Sequence, residues 1–290
     1  MGNNTNYSKI IAGTMTWGSW GKQFSTEEMV VLMEQCLALG ITTFDHADIY
    51  GDYGTEAAFG KAFKASTLDR SKVQFISKCG IQMTSGREND VKHYQYDKDY
   101  IISSTEASLK KLNTDYLDML LLHRPSPLLQ PEEVAEAILS LKDSGKIKKF
   151  GVSNFTPSQI GLLESEITVS ANQIEFSLTQ NDVMENGTLD DCMLHKRMTM
   201  CWSPLGSYFR AHSAKSERIA LVLKTLMEKY NASESQLLLA WLLKHPASVF
   251  PVVGTTNFER LSESVAAVEI NLELQDWFLL LEASQGKEVA

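Results

Sequence analysis

Two rhythms of apolar residues alternate along this chain. Short, β-branched or continuously apolar runs occur at "KIIAGT" (9–14), "ITTFD" (41–45), "VQFISK" (73–78), "YLDMLLLH" (116–123), "KKFGVS" (148–153), "ANQIEF" (171–176), "MTMCWS" (198–203) and "SVFPVV" (248–253). Runs of this length and composition predict strands. Between most of them, apolar residues recur every three or four positions, which predicts amphipathic helices. "STEEMVVLMEQCLALG" shows the pattern with its punctuation, opening on a capping box of Ser25 with Glu28 and stopping at Gly40. Further helices are predicted over 55–65, 98–112, 131–143, 156–165, 214–229, 233–243 and 257–267.

Strands alternating with helices imply parallel β-α units, and eight of them fit a single (β/α)8 TIM barrel of the α/β class. Neither a Pro/Gly/Ser-rich linker nor a composition shift divides the chain, so residues 1–290 are expected to form a single domain. The competing architecture, an open doubly wound sheet, would place a Gly-rich fingerprint after an early strand. No GxGxxG occurs in this sequence.

Composition narrows the function more than the fold. A hydrophobic content of 43% and a charged content of 22% are ordinary for a soluble globular protein. The net charge of −9 speaks against nucleic acid or an anionic membrane as the main partner, while leaving room for a local basic phosphate site. Cys36, Cys79, Cys192 and Cys201 are scattered without CxxC spacing, which argues against a disulfide framework or a metal site and fits a reducing, cytoplasmic compartment. "MGNNTNYSKI" has no apolar core of a secretory signal, and Asn6 stands where a myristoylation site wants Ser or Thr. The longest apolar runs, such as "LLLAWLL" (237–243), are too short to span a bilayer.

In a (β/α)8 barrel the chemistry gathers at the C-terminal ends of the strands. Here three successive strands end in ionisable residues, Asp45, Lys78 and His123. Side chains alternate along a strand, so Asp45 shares a face with Thr43, Lys78 with Ile76, and His123 with Leu121 and Met119. If those faces point inward, an acid, an ammonium and an imidazole meet at the barrel mouth, with Tyr50 on the following loop able to lean over them. Each alone has a plainer reading: a turn-forming Asp, a solvated Lys, a core His, a packing Tyr. Their joint placement is what suggests chemistry.

These residues also carry a family resemblance. "FDHADIYG", "ISKCG", "LLLHRP", "GKIKKFGVSNF", "NQIEF", "WSPLGS" and "PVVGTTNFERLSE" resemble, in order and spacing, the motifs of the aldo-keto reductase family over about residues 9 to 270. Within the family, "TTFDHADIYG", "SKCGI" and "HRPSPL" are most similar to the bacterial YdhF-type oxidoreductases. The resemblance implies an oxidoreductase that reduces aldehydes or ketones with NADPH, with Asp45, Tyr50, Lys78 and His123 catalytic and Tyr50 the proton donor. It implies a dinucleotide cradle of Gly13, Thr14, Met15, Asp45, Ser153, Asn154 and Gln173, with Trp202 stacking on the nicotinamide. Ser203, Pro204, Leu205 and Gly206 would follow the pyrophosphate, and Gly254, Thr255, Thr256, Arg260 and Glu263 the adenosine end; no metal is implied. The partner is then a small carbonyl compound, and the protein a monomer or weak homo-oligomer.

Three departures bear on substrate. His46 stands where many relatives have Thr, Arg124 where many have Trp, and the chain after residue 270 is short for a substrate-gating loop. Two other readings remain open. One is a cofactor-binding regulatory or scaffold barrel with little turnover, and the other a non-redox isomerase or aldolase using Lys78 as a Schiff base. For the reductase, a phenol near pKa 10 is a reluctant acid at neutral pH. Lys78 is therefore expected to lower it, with Asp45 holding Lys78 in place.

Overall fold

The computed structural model describes residues 7–289. The start of the N-terminal segment, including the comparison at Asn6, lies outside them, as does Ala290. The strands are β1 (Ile11–Gly13), β2 (Thr43–Asp45), β3 (Gln74–Cys79), β4 (Ile81–Gln82), β5 (His93–Tyr94), β6 (Leu117–Leu122), β7 (Ile147–Ser153), β8 (Ala171–Glu175), β9 (Met198–Trp202) and β10 (Phe250–Val253). Eight of them close a barrel in the order β1-β10-β9-β8-β7-β6-β3-β2, with every neighbouring pair parallel. These are the eight strands predicted from sequence, with bounds differing by one or two residues. The architecture is a (β/α)8 TIM barrel.

Around the barrel run α1 (Thr26–Ala38), the one-turn α2 (Tyr50–Tyr53), α3 (Thr55–Ala65), α4 (Lys98–Leu112), α5 (Pro131–Asp143), α6 (Pro157–Glu164), α7 (Thr188–Leu194), α8 (Ala214–Tyr230), α9 (Glu234–Leu243), α10 (Phe258–Ala266) and α11 (Leu274–Gln285). The predicted capping box at the start of α1 is formed, with Ser25 Oγ accepting from the Glu28 amide and Glu28 Oε2 from the Ser25 amide.

Alternation along the strands sorts their side chains into two layers. Ile11, Ile76, Met119, Leu121, Met198, Met200, Phe250 and Val252 fill the barrel interior. Phe44, Phe75, Leu120, Leu122, Phe150 and Val152 point outward into the layer shared with the first helices. Each large apolar side chain so buried contributes roughly 1.5–3 kcal/mol. Because Ile76 and Leu121 face inward, the period of two carries Lys78 and His123 inward as well. Packing of the strands thus sets the direction of the candidate catalytic groups.

Besides the one-turn α2, the β4–β5 hairpin, α7 and α11 escape sequence reading. The β4–β5 hairpin pairs Ile81 with Tyr94 and Gln82 with His93, and two residues per strand leave no periodicity to detect. α7 is a single short helix after β8. α11 packs against α8, and its Trp277 stacks on Trp241 with ring centroids 4.9 Å apart. The two indoles also exchange hydrogen bonds, each N–H donating to the other's backbone carbonyl at 3.1 and 2.9 Å. Among the described residues no helix is long and apolar enough to cross a membrane, and no His/Cys/Asp/Glu group is arranged to hold a metal.

Candidate active site

The stretch "FDHADIYGDYG" leaves the barrel at Asp45 and turns sharply after Tyr50. Gly51, Asp52 and Tyr53 have φ of 59°, 53° and 68°, three left-handed residues in a row. That conformation costs roughly 1–2 kcal/mol for each non-glycine residue, so outside contacts must hold it. Asp52 accepts from the Trp20 indole at 3.1 Å and from Ser85 Oγ at 2.8 Å. Tyr53 Oη accepts from the Met83 amide at 2.9 Å. At Gly51 a Cβ would lie 2.4 Å from Thr55 Oγ1, so only glycine fits. The hairpin loop and Trp20 therefore fix the turn that presents Tyr50.

Lys78 is the centre of the cluster. Its side chain is fully buried, and Nζ donates to Asp45 Oδ2 at 2.7 Å, to the His46 carbonyl at 2.8 Å and to Tyr50 Oη at 3.2 Å. Those three acceptors use all three ammonium protons. Asp45 Oδ1 accepts from Gln173 Nε2 at 2.9 Å, which ties β2 to β8 across the mouth. The His123 ring meets Tyr50 edge-on, with centroids 6.1 Å apart.

Burial and charge set the protonation states. Burial alone pulls the Lys78 ammonium down, but Asp45 and Tyr50 outweigh it and hold Lys78 above the usual lysine range. Burial, then the positive charges of Lys78, Arg124 and Lys92, hold His123 well below the usual imidazole value, so it is neutral. For Tyr50, burial pushes the phenol above its ordinary value near 10, and Lys78 pulls it back only in part. The expectation of a net lowering is thereby corrected. Lys78 acts in the expected direction, but desolvation of the phenolate is larger.

The other ionisable residues of the stretch are not at the mouth. His46 is buried against Phe59 and Phe75, its Nδ1 paired with Thr14 Oγ1 at 2.9 Å, and burial drives it down to about 3. Asp48 is buried beside Tyr100 and Ser104, each 3.3 Å away, and burial with Glu56 nearby pushes it up to about 7.

Above the cluster opens a cavity of about 1030 Å³. Asp45, Tyr50 and His123 line it, and Lys78 lies directly behind Tyr50. Gly13, Met15, Ser153, Asn154, Gln173, Trp202, Ser203, Pro204, Leu205, Gly206, Gly254, Thr255, Arg260 and Glu263 also line it. Thr14 and Thr256 do not. Thr14 is fully buried and donates to the Asp45 carbonyl at 3.0 Å, while Thr256 sits by α1 in a shallow surface depression.

A chain of hydrogen bonds orders one wall. Trp202 Nε1 donates to Asn154 Oδ1 at 3.0 Å, Asn154 Nδ2 to Ser153 Oγ at 2.8 Å, and Ser153 Oγ to the Gln173 carbonyl at 2.9 Å. Asn154 and Ser203 both take positive φ, at 60° and 53°, turning the chain ends of β7 and β9 toward the cavity. At Gly206, with φ of 56°, a Cβ would lie 2.0 Å from Thr179 Oγ1, so the backbone hugs the wall. Glu263 is held by Ser235 Oγ at 2.9 Å.

Sequence reading did not assign several lining residues. Trp20, Ile49, Ile81, Met83 and Tyr94 form an apolar flank beside Tyr50. Arg210 reaches back over the Ser203–Gly206 segment, donating to Ser203 Oγ at 3.2 Å and to the Gly206 carbonyl at 2.7 Å. The hairpin residues had no sequence signal. The polar segment "GSYFRAH" (206–212), following the quoted "WSPLGS" motif, was the available hint for Arg210.

Comparison with known proteins converges on one family. The model of the aldo/keto reductase family matches residues 9–284. Oxidoreductase YdhF of Escherichia coli is 40% identical, with 98% of this chain and 95% of that protein covered. The 6-dehydroglucose reductase of Agrobacterium fabrum is 39% identical, with 97% of both chains covered. Among solved structures, an aldo-keto reductase of Klebsiella pneumoniae in complex with NADPH superposes with a TM-score of 0.78 at 26% identity, covering 94% of this chain and 90% of that one. Together with the closed parallel barrel, these matches show that the chain belongs to the aldo/keto reductase family.

Proposed function

We propose that this protein reduces aldehydes or ketones to alcohols with NADPH, Tyr50 serving as proton donor. The observation that carries the reading is the buried Lys78 ammonium, bonded at once to Asp45 and to a tyrosine hydroxyl that faces a large cavity. NADPH, when bound, supplies the hydride, a role no side chain can fill. The residues present suit it: an ordered Trp202, amide groups at Asn154 and Gln173, a tight backbone turn at Gly206, and Arg260 on the cavity wall from the first turn of α10. The Klebsiella pneumoniae relative in complex with NADPH supports the same choice of cofactor.

Reduction of a bound carbonyl would build negative charge on its oxygen. Tyr50 Oη donates its proton to that oxygen, and Lys78 stabilises the phenolate left behind. His123, held neutral, orients the carbonyl oxygen with a ring N–H. Such positioned general acids contribute roughly 10²–10⁴-fold. A Schiff-base role for Lys78 fits poorly, because that chemistry needs a free amine, and Lys78 is held protonated with every proton engaged.

Following NADPH oxidation against a panel of carbonyls, including sugar aldehydes suggested by the 6-dehydroglucose reductase, tests the reading. Oxidation by at least one class is expected. Tight NADPH binding with no turnover of any carbonyl would favour a regulatory barrel instead.

A further expected result concerns cofactor choice. Arg260 lies in the first turn of α10, exposed and lining the cavity, with no ion pair among the described residues. A guanidinium can hold a phosphate through two parallel hydrogen bonds, and charge-assisted bonds contribute roughly 1.5–3 kcal/mol. Arg260→Ala should therefore weaken NADPH binding by about ten- to a hundredfold and leave NADH nearly unchanged, as read by fluorescence titration. Equal weakening of both would place Arg260 away from the 2′-phosphate.

A further inference from the structure

Four cationic side chains line the cavity, and they fall into two pairs. Arg210 and Arg260 belong to the end built from the loops after β9 and β10. Lys92 and Arg124 come instead from the β4–β5 hairpin and from the end of β6, the segments that also supply Ile81, Met83, Tyr94 and His123. The cofactor reading gives the first pair phosphates to meet. It gives the second pair nothing.

Arg124 directly follows His123, and its backbone is pinned on both sides by one buried hydroxyl. Its amide donates to Tyr96 Oη at 3.1 Å, and Tyr96 Oη donates to its carbonyl at 2.5 Å. The guanidinium lies 5.4 Å from the centre of the Trp202 ring, a cation–π contact that places it without neutralising it. Lys92 comes from the other wall, on the loop between β4 and β5. Neither side chain makes an ion pair or a hydrogen bond to protein among the described residues, although Glu88 and Asp90 share the loop with Lys92. The acids lining the cavity are Asp45, taken by Lys78 and Gln173, and Glu263, taken by Ser233 and Ser235. Both cations line the same cavity as His123, and Arg124 is its neighbour in the chain.

In a protein of net charge −9, two uncompensated cations on the walls of one apolar pocket call for an anion. We infer that the carbonyl substrate is itself an acid, with an apolar body against Ile49, Ile81, Met83 and Tyr94 and a carboxylate or phosphate held between Arg124 and Lys92. This rests on the reductase reading and names its substrate class. Neutral sugars, which a guanidinium can also hydrogen-bond, are the competing class.

The test compares matched pairs of aldehydes on the full-length enzyme with NADPH. Para-formylbenzoate is set against its methyl ester, and glyceraldehyde phosphate against glyceraldehyde. Charge-assisted bidentate bonds are the strong ones, so wild type should prefer the acid of at least one pair by about ten- to a hundredfold in kcat/KM. Which pair shows the preference separates carboxylate from phosphate. The preference should shrink with added salt, as the screening length falls from about 10 Å at 0.1 M to about 3 Å at 1 M. In the double variant Arg124→Gln, Lys92→Gln the ratio should fall to about one.

An acid-to-neutral ratio near one in wild type for both pairs, or a ratio the double variant keeps, overturns the inference. So does a double variant whose loss lies in NADPH affinity, since the cations would then serve the cofactor. If no aldehyde turns over, the reductase reading fails separately. Calorimetry with para-(hydroxymethyl)benzoate and with inorganic phosphate then decides: binding lost in the double variant sustains the anion site, and no binding in wild type removes it.

Discussion

Tyr50→Phe is expected to lower carbonyl reduction by about 10²–10⁴-fold while leaving NADPH binding intact. The substitution removes one atom and little else. The ring keeps its contacts with Trp20 and His123, whose centroids lie 6.2 and 6.1 Å away. Lys78 loses its 3.2 Å partner but keeps Asp45 and the His46 carbonyl, so its charge stays paired. The left-handed turn after residue 50 is held through Asp52 and Tyr53 and does not depend on the lost hydroxyl. A fall in turnover therefore reports the missing proton rather than a damaged fold. His123 is no substitute donor in kind, because the neutral ring would have to surrender a far less acidic proton than an imidazolium's. Single-turnover oxidation of bound NADPH, alongside a thermal melt, separates the two effects. Turnover within a few-fold of wild type at an unchanged melting temperature would remove Tyr50 from the proton-donor role.

How much of this was legible beforehand differs sharply by kind of feature. The eight barrel strands were readable because a strand buried on both faces is a continuous apolar run, whatever its neighbours do. The inward direction of Asp45, Lys78 and His123 followed from the period of two once any strand neighbour was known to be interior, as Ile76 and Leu121 are. The sequence "DHAD" shows three ionisable residues within one turn, and only packing tells them apart. Asp45 faces the mouth, His46 is walled in by Phe59 and Phe75, and Asp48 is buried behind the turn beside Tyr100. The flank of the cavity was illegible for a different reason. Its residues come from Trp20, the turn and the β4–β5 hairpin, which meet through long-range contacts such as Trp20 with Asp52 and Tyr53 with Met83. No local pattern encodes such a meeting. The net sign of the Tyr50 shift was missed because pairwise charge reasoning sees Lys78 but not the water removed around the phenol.

Lys78→Met should both destabilise the protein and move the ionisation of Tyr50 upward. The stability loss comes from Asp45, which is buried and would keep only its bond from Gln173. Stranding one partner of a buried ion pair costs about 3–5 kcal/mol, which for a chain of this size lowers the melting temperature by roughly 5–15 °C. The second effect follows from the balance already present at Tyr50. Burial raises the phenol above its ordinary value, and Lys78 is the largest influence pulling it back. Without the ammonium, the raising effects of burial and Asp45 are opposed only by the weaker pull of Arg124. Carbonyl reduction uses the protonated phenol and alcohol oxidation the phenolate, so the two directions must respond differently. Reduction should persist to alkaline pH in both enzymes, with the variant slowed because the phenolate it forms is no longer stabilised. Oxidation should suffer more, since each unit the phenol rises makes the phenolate about tenfold scarcer at a fixed pH below it. Because Tyr50, Lys78 and Asp45 interact strongly, the fitted midpoints belong to the cluster rather than to one residue. The clean measurement is therefore the ultraviolet titration of tyrosinate, taken as the difference between each enzyme and its Tyr50→Phe counterpart. If that difference curve keeps its wild-type midpoint in the Lys78→Met protein, the ammonium does not govern the tyrosine, and the joint Lys78–Tyr50 mechanism falls even if activity is lost.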